Sequence, residues 1–360
     1  MAAYTAIDDP EAYFQTALYT GNGSDDKAIT LGGTTDMSPN IVWIKDRERD
    51  GYNHCIIDSI RGVTKVLRPN LYNDEDTYSD ALKSFDSDGF TLDDDGSNGE
   101  MNVNTETYAA WCWNAGTTGS GTTTGSGTGQ AYTYSVDTTS GVSIMGYTGN
   151  GTANHTIPHH LGVVPNWFMV KIRAGDNNNW GTYHHKSNAS PEQYALYLDG
   201  NAAATDDIFM NDVAPTSSVI NLSGGNYGNV NTNTYVAYCF AEKQGFSRFG
   251  KYTGNGNADG AFVFCGLRPA WLMIKRTDAT DGWLIVDNKR VGYNSGNNVF
   301  EANENNAEAT DVADRVDILS NGFKLRNSWS KINASGGTYV YMAFAEQPFV
   351  NSNGVPANAR

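Results

Sequence analysis

Apolar residues in this chain come in short, dense runs rather than in helical stripes. Residues 41–45, 167–172 and 271–275 are rich in aromatic and β-branched side chains, and each run follows a proline (Pro39, Pro165, Pro269). Runs of this length, bounded by proline and polar turns, predict strands, with the proline at the entrance where its missing N–H costs little. Residues 54–58, 180–184 and 283–287 predict a second strand; the first and last end in Asp58 and Asp287, the middle one in His184. Residues 108–113, 235–240 and 339–344 are apolar at consecutive positions, which predicts a central strand buried on both faces. Asp88-Gly89 and Asn321-Gly322 between apolar runs are hairpin signals, because glycine readily takes positive φ. The second copy carries Ala214-Pro215-Thr216 there instead. Helical periodicity is scarce: residues 74–83 are poorly patterned, and 301–314 hold helix formers without an apolar stripe.

These elements recur because the chain repeats itself. Tyr-Thr-Gly-Asn-Gly opens at Tyr19, Tyr147 and Tyr252, and the spans to the closing Tyr108, Tyr235 and Tyr339 are 89, 88 and 87 residues. Its Gly-Asn-Gly predicts a turn needing positive φ. Units near 100 residues have the size of ordinary domains. Many short strands per unit predict an all-β fold, three tandem antiparallel β-sandwich domains of jelly-roll or lectin-like type. The expected organisation is an N-terminal peptide (1–10), repeats at 11–116, 136–243 and 244–350, and a C-terminal tail (351–360). Residues 117–130 are almost wholly Gly, Thr and Ser and predict a flexible tether within a linker at 117–135. Beads on a string, either separate or packed against one another, is the arrangement this suggests, with the second and third units stiffly joined.

Charge and composition remove several functions. With 24 Lys plus Arg against 40 Asp plus Glu, the net charge is −16. No basic cluster offers a nucleic-acid footprint, and an anionic membrane surface would repel the chain. No run nears the roughly 18 apolar residues of a membrane span. The first residues show neither the basic start nor the apolar stretch of a secretory signal, so folding in a cytoplasm is expected. Of the four cysteines, Cys112 and Cys239 fill one repeat slot that Ala343 fills in the third copy, which predicts free, buried thiols.

Candidate chemistry is sparse. His155, His159 and His160, with His184 and His185 downstream, are zinc-type ligands, but Pro158 interrupts them and the other copies lack them. The acidic run containing Asp93, Asp95 and Glu100 offers carboxylates to calcium, although Glu100 comes too early for a twelve-residue loop. A solvated, self-repelling turn is the competing reading, so no metal and no cofactor are expected. No nucleophile elbow, phosphate loop or metalloprotease motif occurs, which argues against an enzyme. Several tryptophans recur at equivalent places (Trp167 with Trp271, Trp180 with Trp283), as core residues do. Tyr72, Tyr78, Tyr227 and Tyr293 lie in polar loops and are the candidate ligand-binding aromatics, suited to stacking on sugar rings.

Tyr-Thr-Gly-Asn-Gly, Val42-Trp43-Ile44-Lys45-Asp46-Arg47, Asp58-Ser59-Ile60-Arg61-Gly62, Ser84-Phe85-Asp86-Ser87-Asp88-Gly89-Phe90 and the closing strand together resemble a repeat family of virion structural and tail-associated proteins of marine tailed phages, notably those infecting cyanobacteria. The resemblance covers residues 11–348 and is most specific in the first repeat. It implies lectin-like β-sandwiches, a virion location and no catalytic residues. A bacteriophage tail fibre or tail appendage with an adhesive role is the function it suggests. Its partners would be other virion proteins and a host-surface glycan or protein, and homo-oligomers are common among such fibres. Capsid decoration or a head fibre is the alternative, and a polysaccharide depolymerase a more distant one.

Overall fold

A computed structural model describes residues 5–225, 227–291, 294, 297–310 and 314–358. Strand dominates, and among the described residues the α-helix is limited to Ser330–Asn333. Each repeat contributes one large and one three-stranded antiparallel sheet. In the first, the large sheet runs Phe14–Thr20, Thr107–Trp113, Ile41–Asp46, Cys55–Asp58, and the small one Lys27–Thr30, Gly89–Leu92, Leu82–Asp86. The third keeps this order with Ser247–Thr253, Thr338–Pro348, Leu267–Arg276, Trp283–Asp287 and an added Phe300–Glu301. Its small sheet is Phe262–Phe264, Gly322–Leu325, Val316–Leu319. The second repeat embeds the same order, Val142–Thr148, Thr234–Phe240, Trp167–Ala174, Gly181–His184, in an eight-stranded sheet.

One extra strand in that sheet, and one strand of the same repeat's three-stranded sheet, correct the expectation of a flexible tether. Thr117–Thr122 pairs in full with Ala131–Asp137, and Thr124–Gly125 pairs with His155–Pro158. The small residues serve the pairing: a Cβ on Gly119 or Gly121 would sit 2.5 Å or 2.8 Å from the hydroxyls of Tyr134 and Tyr132, whose rings lie across the strand. Pro39 and Pro165 precede their strands as expected, whereas Pro269 lies inside Leu267–Arg276 at a shift in register, where a missing N–H is tolerated. The hairpins at Gly89 and Gly322 form.

Tyr-Thr-Gly-Asn-Gly is a clasp. Its tyrosine stacks on the closing tyrosine at 5.0, 5.3 and 4.9 Å in the three repeats. Its hydroxyl donates to the carbonyls of Met101, Gly228 and Ile332 at 2.8, 2.7 and 2.8 Å. A Cβ on the first glycine would meet a backbone carbonyl at 2.1 Å (Gly21), 2.3 Å (Gly149) or 2.3 Å (Gly254). The second glycine supplies the positive φ, 61°, 71° and 66° at Gly23, Gly151 and Gly256. Asn102, Asn229 and Asn333 close the turn by accepting from the backbone N–H of Asn22, Asn150 and Asn255.

The closing strand explains the assembly. In the first repeat Tyr108, Ala110 and Cys112 enter the core between that repeat's own sheets, while Ala109, Trp111 and Trp113 enter a different core. Tyr235, Ala237 and Cys239 alternate in the same way with Val236, Tyr238 and Phe240, and Tyr339, Tyr341 and Ala343 with Val340, Met342 and Phe344. The second set from all three repeats forms one shared core. At its centre the equivalent residues Trp113, Phe240 and Phe344 stand 6.4, 5.6 and 5.8 Å apart, a near-equilateral triangle of rings on a pseudo-threefold axis. Separate beads are therefore not the arrangement, and the packed one is: each large sheet has a second apolar face, and the other two repeats cover it.

Candidate functional site

Three seams join the repeats, and they are related in a cycle. Trp180 of the second repeat donates from its indole to the Arg68 carbonyl of the first (2.9 Å), and Trp283 of the third to the Tyr197 carbonyl of the second (2.8 Å). His54 of the first donates to the Glu301 carbonyl of the third (3.2 Å), with its other ring nitrogen accepting from Trp43 (3.0 Å). The ring is closed. Each seam also buries a lysine at the end of the Pro-led strand. Lys171 donates to the carbonyls of Tyr72 (2.7 Å) and Asn178 (2.5 Å), and Lys275 to those of Arg276 (2.7 Å) and Asn201 (3.4 Å). Lys45 donates to Asp46 O (2.9 Å) and faces the Phe300 ring. Burial lowers all three to about 8, because the protein interior disfavours the ammonium.

Acidic strand ends complete two of the seams. Asp58 accepts from Arg61 and from Tyr238 of the second repeat (2.6 Å), and Asp287 from Arg290 and from the Trp111 indole of the first (3.1 Å). Glu75 and Glu308 then bridge Arg61 to Arg173 and Arg290 to Arg47. In the third seam His184 replaces the aspartate, and the facing position is Met342, which has no donor. His184 donates instead to the Tyr341 carbonyl (3.2 Å), and Ser187, Ala204 and Thr277 hold the places of the other ionic groups.

The remaining candidates separate. Burial lowers the pKa of every histidine the zinc reading invoked, His184 to about 3 and His159 to about 4. Each ring bonds to protein: His155 to Thr123, His159 to the Thr216 carbonyl, His160 to Tyr132, His185 to the Phe249 carbonyl. Asp93, Asp95 and Glu100 do not converge. Asp95 is buried and accepts from the backbone of Met101 (2.6 Å) and Asn102 (3.0 Å), burial raising it to about 6. Glu100 faces Arg68, Asn53 and Cys55; burial would raise it, but Arg68 holds it below its ordinary value. Among the described residues, Asp25, Asp93 and Asp94 are the one acidic group drawn together, on the surface. All four cysteines are free and buried. Tyr72 is 57% exposed; Tyr78 is half-buried with its hydroxyl on Arg68, and Tyr227 packs on Tyr197 at 5.2 Å. Tyr293 lies outside the described residues.

One cleft went unanticipated. About 580 Å³ opens in the third repeat between the connector from the second repeat, the edge strand Phe262–Phe264 and the segment after the last strand. Phe264 and Phe349 form one wall with centroids 6.4 Å apart, and the Arg248–Glu242 ion pair, Gln244 and Ser247 form another. Phe262 and Phe264 are 48% and 57% exposed on the same face of the strand, with Val263 turned inward. The register places Ala28 and Thr30, and Thr156 and Pro158, at the equivalent positions of the other repeats. Alternating Phe-Val-Phe next to an Asp-Gly turn was the available signal.

A family described as Domain of unknown function (DUF7483) matches residues 9–348. The chain belongs to this family. No curated protein and no solved structure matches it. The family's extent takes in all three repeats and ends with Pro348, the last residue of the final closing strand, so it coincides with the closed ring.

Proposed function

We propose that this protein is a non-catalytic structural component of a tailed-phage virion, most consistent with a tail fibre or tail appendage that adheres to the host surface. Each repeat is read as a lectin-like β-sandwich, the ring as a stiff head that presents loops and edge strands outward. The observation that carries this reading is where the reactive side chains go. The buried lysines, His54, His184, Asp58, Asp287, Arg61 and Arg290 are consumed in holding one repeat to the next. The cleft holds Glu242 as its carboxylate, already paired with Arg248, whereas glycoside hydrolysis calls for two. No described helix is long and apolar enough to cross a membrane. Partners would be other virion proteins and a host-surface glycan, and any association with further copies would use surfaces outside the seams.

Antibody labelling of intact particles, imaged by electron microscopy, tests the assignment. Label at the tail is the expected result. Label spread over the head replaces it with capsid decoration, and particles without label remove the virion reading altogether.

A further inference from the structure

We infer that the cleft of the third repeat is a carbohydrate site that holds a pyranose ring against Phe264 while Arg248, Glu242 and Gln244 engage its hydroxyls. This deepens the adhesive reading and rests on it. Three independent features point to the occupant. Size is the first: 580 Å³ falls within the roughly 300–1,000 Å³ of small-ligand sites. The second is the pairing of wall chemistries. A pyranose has an apolar C–H face, which suits an aromatic ring, and a rim of hydroxyls, which suits charged and amide groups able to donate and accept. Here Phe264 and Phe349 supply rings, Arg248 supplies donors, and Glu242 supplies acceptors. The Phe249 backbone N–H donates to the second Glu242 oxygen (3.2 Å), which holds that carboxylate in place before any ligand arrives.

The third feature is the break in symmetry. Exposed phenylalanine costs hydration energy and invites aggregation, so a pair of them on an edge strand needs a reason. The other repeats place small, hydroxylated or proline residues there. The cleft wall is likewise peculiar to this repeat, because it is made by the second-to-third connector and by Phe349 beyond the last repeat strand. Gly266 keeps the floor open: its φ is +72°, and the nearest atoms to an added Cβ belong to the Phe264 ring at 3.7 Å. Phe262, two residues along the same face, lies about 7 Å farther along the strand, which extends the platform toward a second sugar.

The test uses the full chain and saturation-transfer NMR with methyl glucoside, galactoside and mannoside and with short oligosaccharides of each. At least one is expected to receive saturation from the native chain. Phe264→Ala and Arg248→Ala are both expected to lower its affinity at least tenfold, while Val163→Ala, at an exposed site in the second repeat, leaves it unchanged. Transfer to none of the probes, or transfer that survives both cleft substitutions, overturns the inference. Binding of the labelled chain to host cells separates this from the adhesive reading. Native and Phe264→Ala chains binding cells equally leave adhesion standing and remove the cleft; neither binding removes both. Binding that persists on periodate-treated cells makes the occupant a protein and overturns the carbohydrate assignment.

Discussion

Lys171 allows the energetics of a seam to be read from pH. Its ammonium is buried between two repeats and donates to two backbone carbonyls, those of Tyr72 and Asn178. Burial lowers its pKa from 10.5 to about 8, and a drop of that size separates the two protonation states by about 3 kcal/mol. Below pH 8 the folded and unfolded chains both hold the proton, and Lys171 contributes no pH dependence. Between pH 8 and 10.5 the unfolded chain holds it and the folded chain does not, so stability rises with pH through this window. The cysteines and tyrosines raised by burial act in the opposite sense at alkaline pH, which makes the absolute profile uninformative. Comparison with Lys171→Met cancels them. At pH 7 the substitution removes a buried charge but leaves two carbonyls without their donor, each costing about 1–3 kcal/mol, so the net change is small. From pH 7 to 10 the stability of the native chain should then rise by about 2–3 kcal/mol relative to the variant. Urea unfolding at pH 7, 8, 9 and 10, followed by tryptophan fluorescence, measures this difference. Parallel profiles for the two proteins would refute the account of the seam.

Gly149→Ala should destabilise by about 1–3 kcal/mol in a thermal melt, because its Cβ would lie 2.3 Å from the Val230 carbonyl. Gly32→Ala, with nothing near the added carbon, should change stability by less than about 0.5 kcal/mol. His184→Asp should cost about 2 kcal/mol or more by placing a buried carboxylate opposite Met342, and adding Met342→Tyr should recover part of it, since that pair rebuilds the Asp58–Tyr238 contact. A fragment of residues 1–243 should bind hydrophobic dye and aggregate on size exclusion, because Trp113 and Phe240 lose Phe344 and Trp271 from the shared core; a soluble, dye-negative fragment would contradict the ring.

Much of the local structure was legible because it is decided locally. Pro39, the paired apolar runs and the Gly89 turn each act on neighbours a few residues away. The closing strands announced two buried faces through consecutive apolar residues, but nothing in Trp111 or Trp113 says which surface covers the second face. That surface comes from segments far along the chain: Asp58 meets Tyr238 across 180 residues, and Trp111 meets Asp287 across 176. The run at 117–130 misled because Gly, Ser and Thr carry no apolar pattern, whereas its strand is fixed by pairing with Ala131–Asp137, whose Tyr132 and Tyr134 lie across its glycines. Tyr78 and Tyr227 stood in polar sequence yet pack against Arg68 and Tyr197, since a polar loop can still fold back on the domain. Phe262 and Phe264 were not legible as a surface, because exposure depends on the strand lying at a sheet edge.

The closed ring has a consequence for how such a molecule can change. Three identical chains assembled about a threefold axis would carry every substitution three times, and each contact between them would have to suit all three positions at once. Here the three positions are encoded separately and locked in a one-to-one-to-one ratio by the peptide backbone itself. His184 stands opposite Met342 in one contact while the other two keep Asp58–Tyr238 and Asp287–Trp111, so a change to one pair leaves the others untouched. The same freedom lets one repeat carry two outward phenylalanines where the others carry alanine, threonine and proline. Linkage in a single chain thus turns a symmetric trimer into three separately editable parts.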